Sequence, residues 1–218
     1  MARTVDPALG LAMAMQAGHG RFALLLGSGV SMPSGIPTGW GVVNDLAMRL
    51  AIAEGAAELP EDPIEWFIQS QGSAPDYSGL LEALAPTPGQ RRDLLSGYFE
   101  PSAADREAGL KQPTAAHRAI AGLVARGVVR VIVTTNFDRL LEQAIQAAGV
   151  EPIVVATPDA ARGTIPLAHT RCTVIKVHGD YLDPNIKNTV DELDGYDEAT
   201  DRLLDRVLDE YGLIVCGW

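Results

Sequence analysis

The chain has 218 residues, 47% hydrophobic and 21% charged, an ordinary globular balance with length enough for one full core. Seventeen bases against 28 acids leave a net charge of −11, which excludes the basic stripe a nucleic-acid binder depends on. Two cysteines exclude a disulfide scaffold and a four-cysteine zinc ribbon. No apolar run reaches the roughly 18 residues of a membrane span, and the start Met-Ala-Arg-Thr-Val-Asp-Pro lacks a signal peptide's apolar stretch, so a cytoplasmic protein is expected.

In chain order, Phe22 to Leu26 is a continuous apolar run and predicts a buried parallel strand. It leads into Gly27-Ser28-Gly29-Val30-Ser31-Met32-Pro33-Ser34-Gly35-Ile36-Pro37, a glycine-rich turn. Asn44 and Asp45 fall on the following helix and are expected on its solvent face. Residues 55–113 hold half of the fourteen prolines and no convincing strand. Short helices are expected after Asp62-Pro63 and over Gln90–Phe99, forming a small helical insertion that could act as a lid or substrate wall. Thr114 caps a helix with Ala116, Ala119, Ile120, Leu123 and Val124 on one side, and Gly127 ends it. Val128 to Val133 predicts the next strand. A helix from about Arg139 to Gly149, strands Ile153–Val155 and Thr173–Val177, a helix carrying Leu203, Leu204, Val207 and Leu208, and a strand Leu213–Cys216 complete an α/β pattern of right-handed crossovers. From Asp183 to Glu210 there are ten acids and three bases. Apolar residues interleave them, and Glu198/Arg202 and Arg206/Glu210 have helical pair spacing, so a solvated helix face is expected. The chain stops at Gly217-Trp218, directly after a strand, and reads as a domain cut short.

Three loops follow predicted strand ends, where open α/β sheets bind ligands. The glycine turn suits backbone N–H donation to phosphate. It lacks the third glycine of a dehydrogenase fingerprint, because Met32 stands there, and it lacks the lysine of a Walker loop. Gly-x-Gly alone also serves tight structural turns. Thr134-Thr135-Asn136-Phe137-Asp138 ends the second strand: Asp138 fits a helix cap, whereas no cap needs Asn136, whose amide can orient a water or an amide-bearing ligand. Val177-His178-Gly179-Asp180 places a histidine as a general base would be placed. His117 is read as a packed structural histidine, and Cys172 and Cys216 as buried apolar residues.

The ordered set of loops resembles the sirtuin superfamily. Gly27-Ser28-Gly29-Val30-Ser31 with Ser34-Gly35-Ile36-Pro37 is similar to that family's first NAD-binding loop. Pro113-Thr114-x-x-His117 resembles its helix start, Thr135-Asn136-Phe137-Asp138 its Asn-x-Asp motif, Val177-His178-Gly179 its catalytic histidine loop, and Gly217 the start of its late Gly-Thr-Ser-type loop. The fold this implies is a doubly wound, Rossmann-like parallel sheet. The zinc module of the deacetylases is missing, since no cysteine lies between His178 and Cys216, and Gly35-Ile36-Pro37-Thr38-Gly39-Trp40 lacks their arginine. The chain therefore looks more like zinc-free bacterial sirtuin-like domains that hydrolyse NAD in antiphage defence. The resemblance implies NAD as substrate, no zinc, and a sensor domain or partner outside these residues. It makes Asn136 and His178 catalytic. Gly27, Ser28, Gly29, Ser31, Gly35, Ile36, Pro37, Thr134, Asn136, Asp138 and Gly217 would bind the dinucleotide, with Asp138 on the carboxamide and the glycine loop on the diphosphate. An NAD-dependent deacylase and a non-catalytic NAD-binding module stay open as alternatives. Oligomeric state is open too, a homo-oligomer included.

Overall fold

The computed structural model describes residues 6–56, 58–182 and 196–218; the first part of the acidic run, 183–195, lies outside the described residues. Five strands form one all-parallel sheet in the order β3-β4-β2-β1-β5. They are β1 (Phe22–Leu26), β2 (Val129–Thr134), β3 (Ile153–Val155), β4 (Thr173–Lys176) and β5 (Gly212–Cys216). Helices cover both faces, which is a doubly wound, Rossmann-like arrangement. The apolar runs are continuous because alternate residues serve opposite faces. Leu24, Leu26, Ile132 and Val174 pack with α1 (Pro7–Ala17), α7 (Ala115–Ala125) and α8 (Leu140–Ala147). Ala23, Val131, Val133 and Ile175 pack with α9 (Pro158–Gly163) and α10 (Glu198–Glu210).

A third cluster lies over the carboxyl edge of the sheet. Val42, Leu46 and Ala47 of α2 (Gly39–Ala53), Leu80 and Leu81 of α4 (Tyr77–Leu84), and Leu95 and Phe99 of α5 (Pro88–Phe99) pack together with Leu140 and Tyr181. With α3 (Pro63–Gln71) and α6 (Ala103–Glu107) these helices account for most of residues 55–113, where the described residues include no strand. Their starts are written locally. Asp62 Oδ1 accepts from the N–H groups of Ile64 and Glu65, and Asp76 from that of Gly79. Thr87 and Gln90 form a capping box.

Some details differ from the sequence reading. Helix α1 is unexpected; Asp6 caps it through the N–H groups of Ala8 and Leu9. Strand β2 starts and ends one residue later than its apolar run, because Thr134 pairs with Leu26 while Val128 turns off Gly127 at φ 70°. Strand β5 is a sheet edge: Ile214 and Cys216 reach the core, but Leu213 and Val215 are exposed. Asp45 does not simply face solvent. It accepts hydrogen bonds from Arg49 and from the Tyr98 hydroxyl, tying α2 to α5. Among the described residues no helix is long and apolar enough to cross a membrane.

Ile132 is fully buried on the central strand pair. Ile132→Ala should therefore lower the unfolding free energy by about 2–5 kcal/mol, measured as a shifted urea midpoint with an unchanged slope.

Candidate functional site

The loops after β1, β2 and β4, three adjacent strands, converge on one cavity of about 240 Å³. Ser28, Ser31, Ile36 and Pro37 line it from the first loop, Thr135 through Asp138 from the second, and His178 from the third. Gly39 and Val42 of α2, Tyr77 of α4 and Phe99 of α5 complete the wall. These four were not singled out in the sequence, where nothing marks a packed helix residue as facing a ligand space.

The other predicted residues lie elsewhere. Gly27, Gly29 and Gly217 do not line the cavity; they let two backbone segments cross in contact. A Cβ on Gly27 would stand 2.5 Å from the Gly217 carbonyl oxygen, and one on Gly29 would stand 2.9 Å from Gly217 Cα. The Gly29 N–H donates to the Gly217 carbonyl at 2.8 Å, and that of Gly27 to Cys216 at 3.0 Å. The N–H groups of Val30, Ser31, Ser34 and Gly35 are likewise spent within the loop. A backbone diphosphate cradle formed by this loop is thus largely closed. In the first turn of α2 beside the cavity, the Gly41 N–H is capped by Thr38 Oγ1 at 3.2 Å and the Val42 N–H donates to the Thr38 carbonyl at 2.9 Å, which leaves the N–H groups of Gly39 and Trp40 as the helix-start donors for an anion. Gly35 holds a left-handed turn at φ 80° that swings Ile36 and Pro37 toward the cavity. Thr134 lies beneath the site: its hydroxyl donates to the Leu26 carbonyl and accepts from the Asn136 N–H, both at 3.1 Å.

Ser31 is the hub. Its hydroxyl donates to Asp138 Oδ2 at 2.7 Å and meets both Asn136 Nδ2, at 3.3 Å, and His117 Nε2, at 3.4 Å. Asn136 Nδ2 also donates to the Gly27 carbonyl at 3.1 Å. With both amide hydrogens used, the Asn136 carbonyl oxygen is the end left for a ligand or water. Asp138 both caps and serves the hub, since its Oδ1 accepts from the Leu140 N–H at 3.0 Å. His117 is as buried as the sequence suggests, only 1% exposed, yet its ring is more than packing. Nδ1 accepts from the Thr114 N–H at 3.1 Å, which leaves the neutral ring's proton on Nε2, facing Ser31. A helix-capping motif in the sequence thus hides a donor one residue removed from Asp138. His178 is half-buried, and its ring sits 6.2 Å from that of Phe137.

Behind the cavity lies a second set of charges, buried except for Arg139. The Lys176 ammonium, at the end of β4, contacts the Phe137 carbonyl at 3.0 Å, the Asp138 carbonyl at 2.7 Å, Glu142 at 3.1 Å and Asp180 at 3.0 Å. Asp180 also takes Arg139 at 2.8 Å. Burial alone would raise the Asp180 carboxyl, but Lys176, the Leu182 N–H and Arg139 outweigh it and hold it below the usual range. For Glu142 burial wins over Lys176, and its carboxyl is pushed up.

Removing one member of such a set strands the others. Lys176→Met should cost about 3–5 kcal/mol of stability, and adding Glu142→Gln should recover part of it in a double-mutant cycle read by chemical denaturation. His117 makes a pH-dependent contribution. Burial, opposed by Asp138 and reinforced by Arg118, depresses its pKa, so the unfolded chain binds the proton first. The contribution is full above about pH 6.5 and is lost as pH falls below it. The stability gap between the wild type and His117→Leu should accordingly narrow from pH 7 to pH 5 in denaturation curves.

Residues 130–218 match the family model described as the SIR2-like domain, the part of the chain that carries Asn136, Asp138 and His178. No curated protein matches the chain. The family match supports a place for this part of the chain in the sirtuin-like superfamily and, broadly, an NAD-related activity.

Proposed function

We propose that the chain hydrolyses NAD at the bond between nicotinamide and ribose, releasing nicotinamide and ADP-ribose. The observation that carries this reading is the convergence of Ser31, Asn136, Asp138 and His178 on one cavity at the carboxyl ends of β1, β2 and β4. At about 240 Å³ the cavity is smaller than the roughly 300–1,000 Å³ usual for drug-sized ligands. It suits the nicotinamide and its ribose, with the rest of the dinucleotide outside, toward the start of α2.

In this reading the leaving group is already cationic and needs little acid help, so the site's task is to stabilise an oxocarbenium-like ribose and to hold water against it. The aromatic wall of Phe99 and Phe137, with ring centres 6.3 Å apart, gives the flat pyridinium an apolar, π-faced seat. Asp138, fixed by Ser31 and Leu140, has lone pairs left to accept from the carboxamide N–H. The Asn136 carbonyl oxygen orients the attacking water or a ribose hydroxyl. The C–N bond breaks with its electron pair going to nicotinamide, the water oxygen bonds the anomeric carbon, and the water's proton passes to His178. No zinc enters this scheme. The chain has only two cysteines, and burial holds the Cys172 thiol up at about 12. By the same resemblance we place the activity in cytoplasmic antiphage defence, under a sensor domain or partner outside these residues.

The test is nicotinamide release from NAD. Asn136→Ala and His178→Ala should each slow it by about 10²-fold or more in protein that still unfolds cooperatively. Undiminished release by a folded His178→Ala protein would overturn the assignment of the base, and release only in the presence of an acylated peptide would replace hydrolysis by deacylation.

A further inference from the structure

The sheet's other edge carries a second cavity. At the amino ends of β2 and β4, opposite the site described above, a space of about 380 Å³ is lined by Arg126, Arg130, His169 and Arg171, with Gly127 and Thr170 between them. This concentration of guanidinium groups is unusual in a chain of net charge −11. Elsewhere Arg49 pairs with Asp45, Lys111 with Asp105, Arg139 with Asp180, Arg162 with Asp159 and Asp197, Lys176 with Glu142 and Asp180, Arg202 with Glu198 and Arg206 with Glu210, while Arg21, Arg91, Arg92, Arg106 and Arg118 do not line this cavity. Among the described residues, none of Arg126, Arg130 and Arg171 meets a carboxylate at ion-pair distance. Two acids at the same edge are already engaged, Glu151 by Gln146 at 3.0 Å and Glu210 by Arg206 at 3.7 Å.

The end of α7 accounts for one of the three. Arg126 is its C-cap, where a cation complements the helix dipole. That explanation does not reach Arg130, on strand β2, or Arg171, in the loop before β4. Arg130 is half-buried and runs along Gly20, where an added Cβ would stand 3.4 Å from its Nε. The backbone around the cavity is closed, because the N–H groups of Arg126, Gly127, His169 and Thr170 donate to Gly122, Val124, Pro166 and Leu167. Recognition there falls to side chains, and the side chains are planar guanidinium forks, which suit the oxygens of phosphate.

We propose that this cavity is a second ligand site, for a compact phosphate-bearing anion of the diphosphate class, separate from the cavity at the carboxyl edge. Titration calorimetry with inorganic pyrophosphate, and separately with ADP, tests it on the whole chain. Pyrophosphate should bind with one site per chain, more weakly as salt rises, and Arg130→Gln and Arg171→Gln should each weaken it by at least about tenfold. Ser28→Ala, at the other edge, should leave it unchanged. Equal affinity for ADP and pyrophosphate would identify the bare diphosphate as the ligand feature, and tighter binding of ADP would identify a nucleotide. Arg171 is exposed, so Arg171→Gln remains a fair test even if Arg130→Gln destabilises the fold. The proposal is overturned if neither probe binds, or if binding is lost in Ser28→Ala and kept in Arg171→Gln.

Discussion

One buried ammonium organises the carboxyl edge of this sheet. Lys176 leaves β4 with a side chain that is 1% exposed, and a charge so placed must find its full complement of partners inside the protein. It finds two carboxylates and the carbonyls of Phe137 and Asp138. Those carbonyls belong to the loop that presents Asn136, and Asp180 stands two residues beyond His178. The loops after β2 and β4 are therefore held to each other through a group that touches neither the cavity nor solvent. The arrangement is close to neutral, with Lys176 and Arg139 against Asp180 and Glu142, and the raised carboxyl of Glu142 marks where neutrality is least complete.

A constraint of the opposite kind holds the first loop. Where Gly27 and Gly29 pass Gly217, the backbones are too close for any side chain. The N–H groups that might have met a phosphate are spent on Cys216 and Gly217 instead. The glycines thus fix the path of the loop, and Ser31, at its far end, gains a defined position from which to join His117, Asn136 and Asp138. The chemistry rests on side chains held by this crossing more than on an open backbone nest. Above it, α2, α4 and α5 contribute Val42, Tyr77 and Phe99 to the wall, and the sheet-side loops bring the site's polar groups together with Ile36, Pro37 and Phe137, a largely apolar pocket with a few placed polar groups.

The two ends of the sheet differ in how they treat charge. At the carboxyl edge, charges are buried, paired and shared with backbone carbonyls. At the amino edge, among the described residues, the guanidinium groups of Arg126, Arg130 and Arg171 share one cavity and meet no carboxylate at ion-pair distance. A strongly acidic chain gains nothing in solubility from such a group of cations, and their gathering on one cavity separates it from an ordinary solvated surface.

Most of the fold was readable along the chain. The apolar runs are continuous because strands buried on both faces need no alternation, and helices carry their own caps in Thr114 and Asp62. The motif loops could be named because each directly follows a strand. What local sequence could not decide is which distant groups meet. The hydrogen bond of Ser31 to Asp138 spans 107 residues, and that of Lys176 to Glu142 spans 34. The same limit hid the role of His117, because a capping box and a buried donor to a site serine look identical in one dimension. It also hid Tyr77 and Phe99 as cavity walls, and the edge position of β5. The sequence by itself determined the strands, several of the helices and the loops rich in polar groups, since propensity, capping and periodicity act over a few residues. Only the tertiary structure decided which polar groups share a proton, which charges must neutralise each other and which glycines touch, because those depend on the sheet bringing residues far apart in the chain within a few ångströms.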